Sequence, residues 1–443
     1  MLSPRPDVSS SGAPPWRQSA TLAILASLNL AGGLAMQWYV IASLGAGVET
    51  DALFASLALP QALLAIVASS FMTLLVPLLS GEDETVFRRN AWTFTAATAG
   101  IFSTAGVVLV FLAPWWVPLL TPGLPLSART LAVQLARIQL LAMVCTSMAG
   151  ILGAVGRARM AFIWVECAPL LSTLVAAAAL VVTLPIYGIY AAAWTQVARI
   201  GLHAALLSPG LGRFAGFTRD RLLLREAWRR LRPLVAGTAY VRTEPLFDRG
   251  LSSLAPTGDL SLYYLCQQVC TSALQLANNA LIAPLVPRLA QHAKAGDWTA
   301  FSDARRHTVR VVALLSVAGA CLLLLVIVAV VVVGWLPDGT GTLARRVGWI
   351  IAGLSGLLIA GPIAESFRSA FYATGITGTP VRIDAVIFTC GLALKFAGFA
   401  AFGVIGLAFA ASCQALLSAV VLRRGLVRAV SLRVDAGSTP SRY

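Results

Sequence analysis

Charge is what this chain is short of. Only 12% of its 443 residues are charged, where soluble globular proteins run at about a quarter. Hydrophobic residues make up 58%. A water-soluble core of this size cannot bury so much apolar surface, so the remainder must face lipid. Histidine is scarce too: His203, His292 and His307 are scattered and give no metal-ligand spacing. The seven cysteines all lie inside apolar runs, which argues against a disulfide framework. Cys266 and Cys270 share one helical face but lack the partners that a metal site needs. No Walker A glycine loop is present, so ATP does not drive the protein directly. No cleavable leader is expected, because the polar, Pro-rich MLSPRPDVSSSGAPPWRQ precedes an apolar run long enough to stay in the membrane.

What the chain does have is spans. A membrane helix takes about 20 mostly apolar residues. Twelve such segments are predicted: 20–43, 52–79, 91–119, 130–154, 160–183, 186–208, 233–254, 261–287, 310–336, 347–372, 381–401 and 403–422. The net charge of +15 is carried almost wholly by arginine. With the N-terminus in the cytoplasm, 24 of the 33 cations fall in cytoplasmic segments and three, Arg129, Arg345 and Arg346, on the other side. That is the distribution of the positive-inside rule, and it places both termini in the cytoplasm. The same pattern accounts for the basic balance without nucleic acid as a partner. The expected organisation is a polar cytoplasmic N-terminus (1–19), a six-helix half (20–208), a basic cytoplasmic linker (209–232), a second six-helix half (233–422) and a basic tail (423–443).

The two halves echo each other. LVPLLSGED from Leu75 returns as LVPRLAQHA from Leu285, 210 residues later. GAVGRARMAF from Gly153 parallels YATGITGTPV from Tyr372, at an offset of 219. Six crossings return the chain to its starting side, so the repeat is parallel about an axis along the membrane normal. Many secondary transporters use repeats of this kind, with the substrate between them.

GAGVETDALFASLALPQALLAIVASSFMTLLVPLLS, from Gly45, resembles the first signature of the MviN/MurJ family. These are lipid II flippases within the MOP exporter superfamily. The matching positions are Gly45, Gly47, Thr50, Asp51, Ala52, Phe54, Leu59, Pro60, Val76 and Pro77. PLFDRGLSSLAPTGDLSLYYL from Pro245 and FYATGITGTPVRI from Phe371 are similar to later family segments. The resemblance implies an all-α polytopic fold that moves undecaprenyl-pyrophosphate-linked sugars from the inner to the outer leaflet. It also implies fourteen spans, two more than are counted here. The family places arginines along its first two spans and after the Tyr-Tyr pair. Here Met36, Leu64, Ala65 and Gln267 stand at or near those places, and Cys270 stands at a Glu place. Of the family's central charges, Asp51 carries over.

Ionisable groups inside a membrane are expensive and mark functional sites. Span seven carries four: Arg242, Glu244, Asp248 and Arg249. Arginine suits bidentate contact with phosphate oxygens, so Arg242 and Arg249 are the expected anion ligands. Glu244 or Asp248 would balance charge or hold a coupling cation; an internal salt-bridge network is the competing role. Asp51, Arg368 and Lys395 complete the substrate-binding set. Asp51 is alternatively an N-cap of the second span. Arg137, Glu166, Arg199, Glu365 and Asp384 are further buried charges.

The expected function is a flippase for a polyprenyl-pyrophosphate-linked saccharide, working by alternating access. Its cargo is a lipid II-like peptidoglycan precursor or an exopolysaccharide or O-antigen repeat unit. The protein is expected to be a monomer in the bacterial inner membrane. No cofactor is expected, with coupling to the membrane potential or a monovalent ion. A multidrug/cation antiporter of the same superfamily is the first alternative, and a non-transporting paralogue the second. A membrane glycosyltransferase would need a sizeable outer loop, and every outer loop is short.

Overall fold

The computed structural model describes residues 15–66, 83–218, 229, 239–282, 285–332, 340–376 and 378–437. The LVPLLSGED copy of the repeat, most of the basic linker, the start of the seventh span and both extreme termini lie outside the described residues.

The described chain is helical, as a bilayer requires of any segment that must satisfy its own backbone polar groups. The first half comprises α1 (Pro15–Leu44), α2 (Val48–Ile66), α3 (Glu84–Leu120), α4 (Leu126–Ala158), α5 (Phe162–Tyr187) and α6 (Ile189–Leu207). The second comprises α7 (Glu244–Ser253), α8 (Asp259–Ala277), α9 (Leu285–Ala295), α10 (Trp298–Val332), α11 (Thr340–Ala373) and α12 (Gly378–Gly437). Eight of the described helices are long and apolar enough to cross a membrane.

Each predicted span meets one of these elements, with three informative differences. The eighth span is not one helix. It loosens into a π-helical turn at Asn278–Ile282 and resumes as α9, where Pro287 lacks a backbone donor. The ninth begins at Trp298, well before the apolar run, and carries Arg305, Arg306 and Arg310 on its extension. The last stays helical through Arg423, Arg424 and Arg428 to Gly437, so part of the predicted basic tail is helix.

Spans eleven and twelve form one continuous element, α12, broken at Gly403 by φ 60°, ψ −140°. The α5–α6 junction uses Gly188 at φ 55°, ψ −140°, 215 residues earlier. Both are conformations that a Cβ disfavours. At the same spacing, Met160 (φ 60°) between α4 and α5 matches Gly375 (φ 78°) between α11 and α12. The backbone thus repeats where the side chains have diverged.

Packing repeats as well. α2 lies on α4 as α8 lies on α11; α1 on α5 as α7 on α12; α3 on α4 as α10 on α11. The halves meet through α1 and α2 against α7 and α8. Lipid provides no hydrophobic drive between helices, so close approach of small residues carries the packing. A Cβ on Gly406 would sit 1.9 Å from the Gly398 carbonyl oxygen, inside α12's own hairpin.

One end of the interface between halves is sealed by short loops. Gly258, at φ 95°, brings the α7–α8 turn against Ala46, and a Cβ there would lie 2.6 Å from the Ala46 oxygen. Gly123, in the α3–α4 turn, donates its N–H to Ser253 Oγ at 3.2 Å.

A polar site between the halves

Below the sealed loops, α2 and α8 face each other. Phe54 stacks on Tyr264 with ring centroids 4.6 Å apart. About two turns further along α2, Gln61 Nε2 donates to the Tyr264 hydroxyl at 3.1 Å. Arg249, from α7, closes the group: Nη2 donates to Gln61 Oε1, and the guanidinium carbon lies 4.9 Å from the centre of the Tyr264 ring. The side chain is 5% exposed, and Nη1 has no partner. Arg249 is therefore a buried cation held by neutral groups, with one donor edge unused. A small cavity of about 50 Å³ adjoins Gln61 and Tyr264. Gln37 and Gln139 line it, and their amide oxygens are likewise unpaired.

One residue before Arg249, Asp248 points the other way, into the second half. Lys395 Nζ, 1% exposed on α12, sits 2.7 Å from Asp248 Oδ1 and 2.6 Å from Glu244 Oε1. Two amides complete the carboxylates' shells. Gln267 donates to Asp248 at 2.9 Å and Gln414 to Glu244 at 3.0 Å. Two carboxylates share one ammonium.

The remaining predicted residues divide. Arg368 is fully engaged: it takes Asp384 with two bonds, at 2.9 and 3.0 Å, and also holds Glu365. Arg242 is exposed and joins neither cluster through any contact among the described residues. Arg242 and Arg249 are thus not brought together, because Arg242 lies before α7 begins at Glu244 and is exposed, while Arg249 within α7 faces the interface. Arg137 is also exposed. Cys266 and Cys270 pack in the shared core beside Tyr263 and Tyr264.

Asp51 caps a helix, but not its own. It accepts the N–H of Gly258 at 2.6 Å and of Ser261 at 2.9 Å, the first turn of α8 in the opposite half. The cap of α2 comes from Thr50, whose hydroxyl accepts the Gly47 N–H at 2.9 Å. Asp51 is the polar clasp of the sealed end.

The family model for lipid II flippase MurJ matches residues 40–439, nearly the whole chain. The chain belongs to the lipid II flippase MurJ family. A probable lipid II flippase MurJ from Vibrio cholerae is 25% identical over 201 residues, which cover 44% of this chain and 37% of that relative's length. The solved structure of a lipid II flippase MurJ in an inward closed conformation superposes with a TM-score of 0.79 at 14% identity. It covers 92% of this chain and 87% of that one. An inward-facing multidrug resistance MATE transporter of the MOP superfamily gives 0.70 at 11% identity, covering 95% and 96%. At these identities the superpositions carry the fold.

Within the MurJ-family fold, the departures seen in the sequence acquire places. Gln267, standing where the resemblance puts an arginine, is a neutral donor to Asp248, and the cation on that carboxylate comes instead from Lys395. Sequence reasoning passed over Gln61, Tyr264 and Gln414 because they are uncharged. Gln61 directly follows the Leu59-Pro60 signature and Tyr264 belongs to the Tyr-Tyr pair, so the family segments were the available signal.

Asp51→Ala removes two hydrogen bonds to a charged acceptor, each contributing about 1.5–3 kcal/mol. The expected result is opening of the sealed end. Thiol labelling of an Ala46→Cys reporter should rise several-fold in the Asp51→Ala background. Unchanged labelling would show that the clasp does not hold this end closed.

Proposed function

We propose that the protein moves a polyprenyl-diphosphate-linked saccharide from the inner to the outer leaflet by alternating access of its two halves. The observation that carries this reading is Arg249: buried between the halves, without a carboxylate partner, and with Nη1 free. A guanidinium so placed is suited to a diphosphate oxygen pair. Its bond to Gln61 crosses from one half to the other. A diphosphate that takes over the guanidinium releases Gln61, so cargo binding loosens an inter-half contact. That couples occupancy to rocking of the halves, because the cargo then prefers one of two states.

The basic extensions of α10 and α12 support a cytoplasmic position for the end opposite Asp51, with both termini on that side. The sealed end, bearing Asp51, then faces outward. The protein works as a monomer in a bacterial inner membrane, since both halves of the site come from one chain. Coupling to the membrane potential fits better than coupling to a monovalent metal ion. The Lys395 ammonium already bridges Glu244 and Asp248, where such an ion would bind. The same bridge counts against a cation antiporter, which needs a free carboxylate.

Depletion followed by analysis of undecaprenyl-linked lipids tests the cargo. Accumulation of a peptidoglycan precursor on the inner leaflet identifies a lipid II-like cargo. Accumulation of a different glycan lipid identifies an exopolysaccharide or O-antigen unit. An unchanged lipid profile overturns the transport reading.

A further inference from the structure

A second arginine with a buried, unpartnered donor lies outside the site already described; as a whole side chain it is only partly buried. Arg199 is the eleventh residue of the 19-residue α6, which puts it about 15 Å along the helix axis. Its Nη1 donates to Thr173 Oγ1 at 3.3 Å, and Thr173 in turn donates to Asn29 Oδ1 at 2.8 Å. Its Nε is buried and has no partner. Among the described residues no carboxylate pairs with it. The nearest carboxylate in its pocket, Glu166, is taken by Arg157 at 3.2 Å.

Arg199, Asn29, Arg157 and Glu166 line one cavity of about 360 Å³ between α1, α4, α5 and α6, wholly inside the first half. Gly150 and Gly153 on α4 leave room for it, and Ser172 and His203 add polar lining. With Arg157 and Glu166 paired, Arg199 is the cation in this pocket without a carboxylate among the described residues. An uncompensated guanidinium at this depth in a membrane protein is strongly unfavourable. The energetic demand is for an anion, and the cavity has the volume for one several times larger than a water molecule.

We propose that this pocket binds a phosphate-type oxyanion, with Arg199 as the charged ligand. The donor edge formed by Nε suits a second hydrogen bond to the same tetrahedral anion that takes the charge. Asn29, Ser172 and His203 are the neutral groups around it. The proposal does not depend on the transport reading, since none of these residues touches the Arg249 site. The anion can be a phospholipid headgroup or free phosphate, and the test separates the two.

The purified full chain is compared with Arg199→Gln and Arg249→Gln by thermal unfolding. Each is measured in phosphate-free buffer, with inorganic phosphate, and in nanodiscs of phosphatidylglycerol or phosphatidylcholine. Without an anion, Arg199→Gln should unfold at a higher temperature than the wild type, because it removes an uncompensated, partly buried charge. A purely structural arginine would give the opposite sign. With the anion, the wild type and Arg249→Gln should gain on the order of 2 °C or more, and Arg199→Gln should gain nothing. A gain with inorganic phosphate assigns a free-phosphate site. A gain confined to phosphatidylglycerol assigns a lipid headgroup. A wild-type midpoint unmoved by every probe, or an equal response in Arg199→Gln, overturns the proposal. So does an Arg199→Gln protein less stable than wild type in phosphate-free buffer.

Discussion

Lys395→Met is expected to cost the protein most of its stability, on the order of 3–5 kcal/mol, the range for removing one partner of a buried ion pair. The ammonium stands between Glu244 and Asp248 at 2.6 and 2.7 Å, at 1% exposure. Methionine fills similar space but leaves two carboxylates facing each other. Gln267 and Gln414 continue to donate to them, but two amides cannot neutralise two charges. The yield of monodisperse protein from membranes and its unfolding midpoint report the loss. The triple variant Lys395→Met, Glu244→Gln, Asp248→Asn removes all three charges together. It should recover much of the midpoint, because the penalty lies in unpaired charge rather than lost volume. A Lys395→Met protein as stable as wild type would mean that the cluster is hydrated and the ammonium is not its anchor.

Arg249→Gln is expected to do the reverse: to leave folding nearly intact and abolish transport. Arg249 has no carboxylate to orphan, and glutamine can still reach a neutral partner near Gln61. Stability should therefore change by about 1 kcal/mol or less, the scale of one neutral hydrogen bond. Export should fall by about 100-fold or more. Loss of a charge-assisted bidentate contact to phosphate in a desolvated site accounts for a factor of that size. The check is complementation of a depleted strain, with membrane content of the variant measured in parallel. Full complementation by Arg249→Gln would remove the diphosphate role. Arg242→Ala, on an exposed residue outside both clusters, should behave much closer to wild type.

These two outcomes separate functions that the sequence placed side by side. Arg242, Glu244, Asp248 and Arg249 fall within eight residues, and their helical spacing pairs the acids on one face and the arginines on another. The acids do share a face, which turns to Lys395. The arginines part, because the chain enters α7 at Glu244 and Arg242 lies in the approach to that helix. A helical wheel assumes one straight axis, and Thr243-Glu244-Pro245 interrupts it.

The sequence by itself determined the class, the run of apolar helices and the duplication, and the cations set the sidedness to be expected. Each of these is local or additive: twenty apolar residues make a span wherever they sit, and arginines count by position along the chain. The family signature likewise marked α2 and the α7–α8 turn before their contact was known. Which charges are spent and which are free was decided only by the tertiary structure. Lys395 meets Glu244 across 151 positions, Asp51 meets Ser261 across 210, and Arg249 meets Gln61 across 188. A charge in a membrane takes its role from what lies within a few ångströms of it, and packing of the two halves sets that distance. The scarcity of charge identified a membrane protein; among the described residues the fold left the buried Arg249 and the partly buried Arg199 each with an orphaned donor and no carboxylate partner.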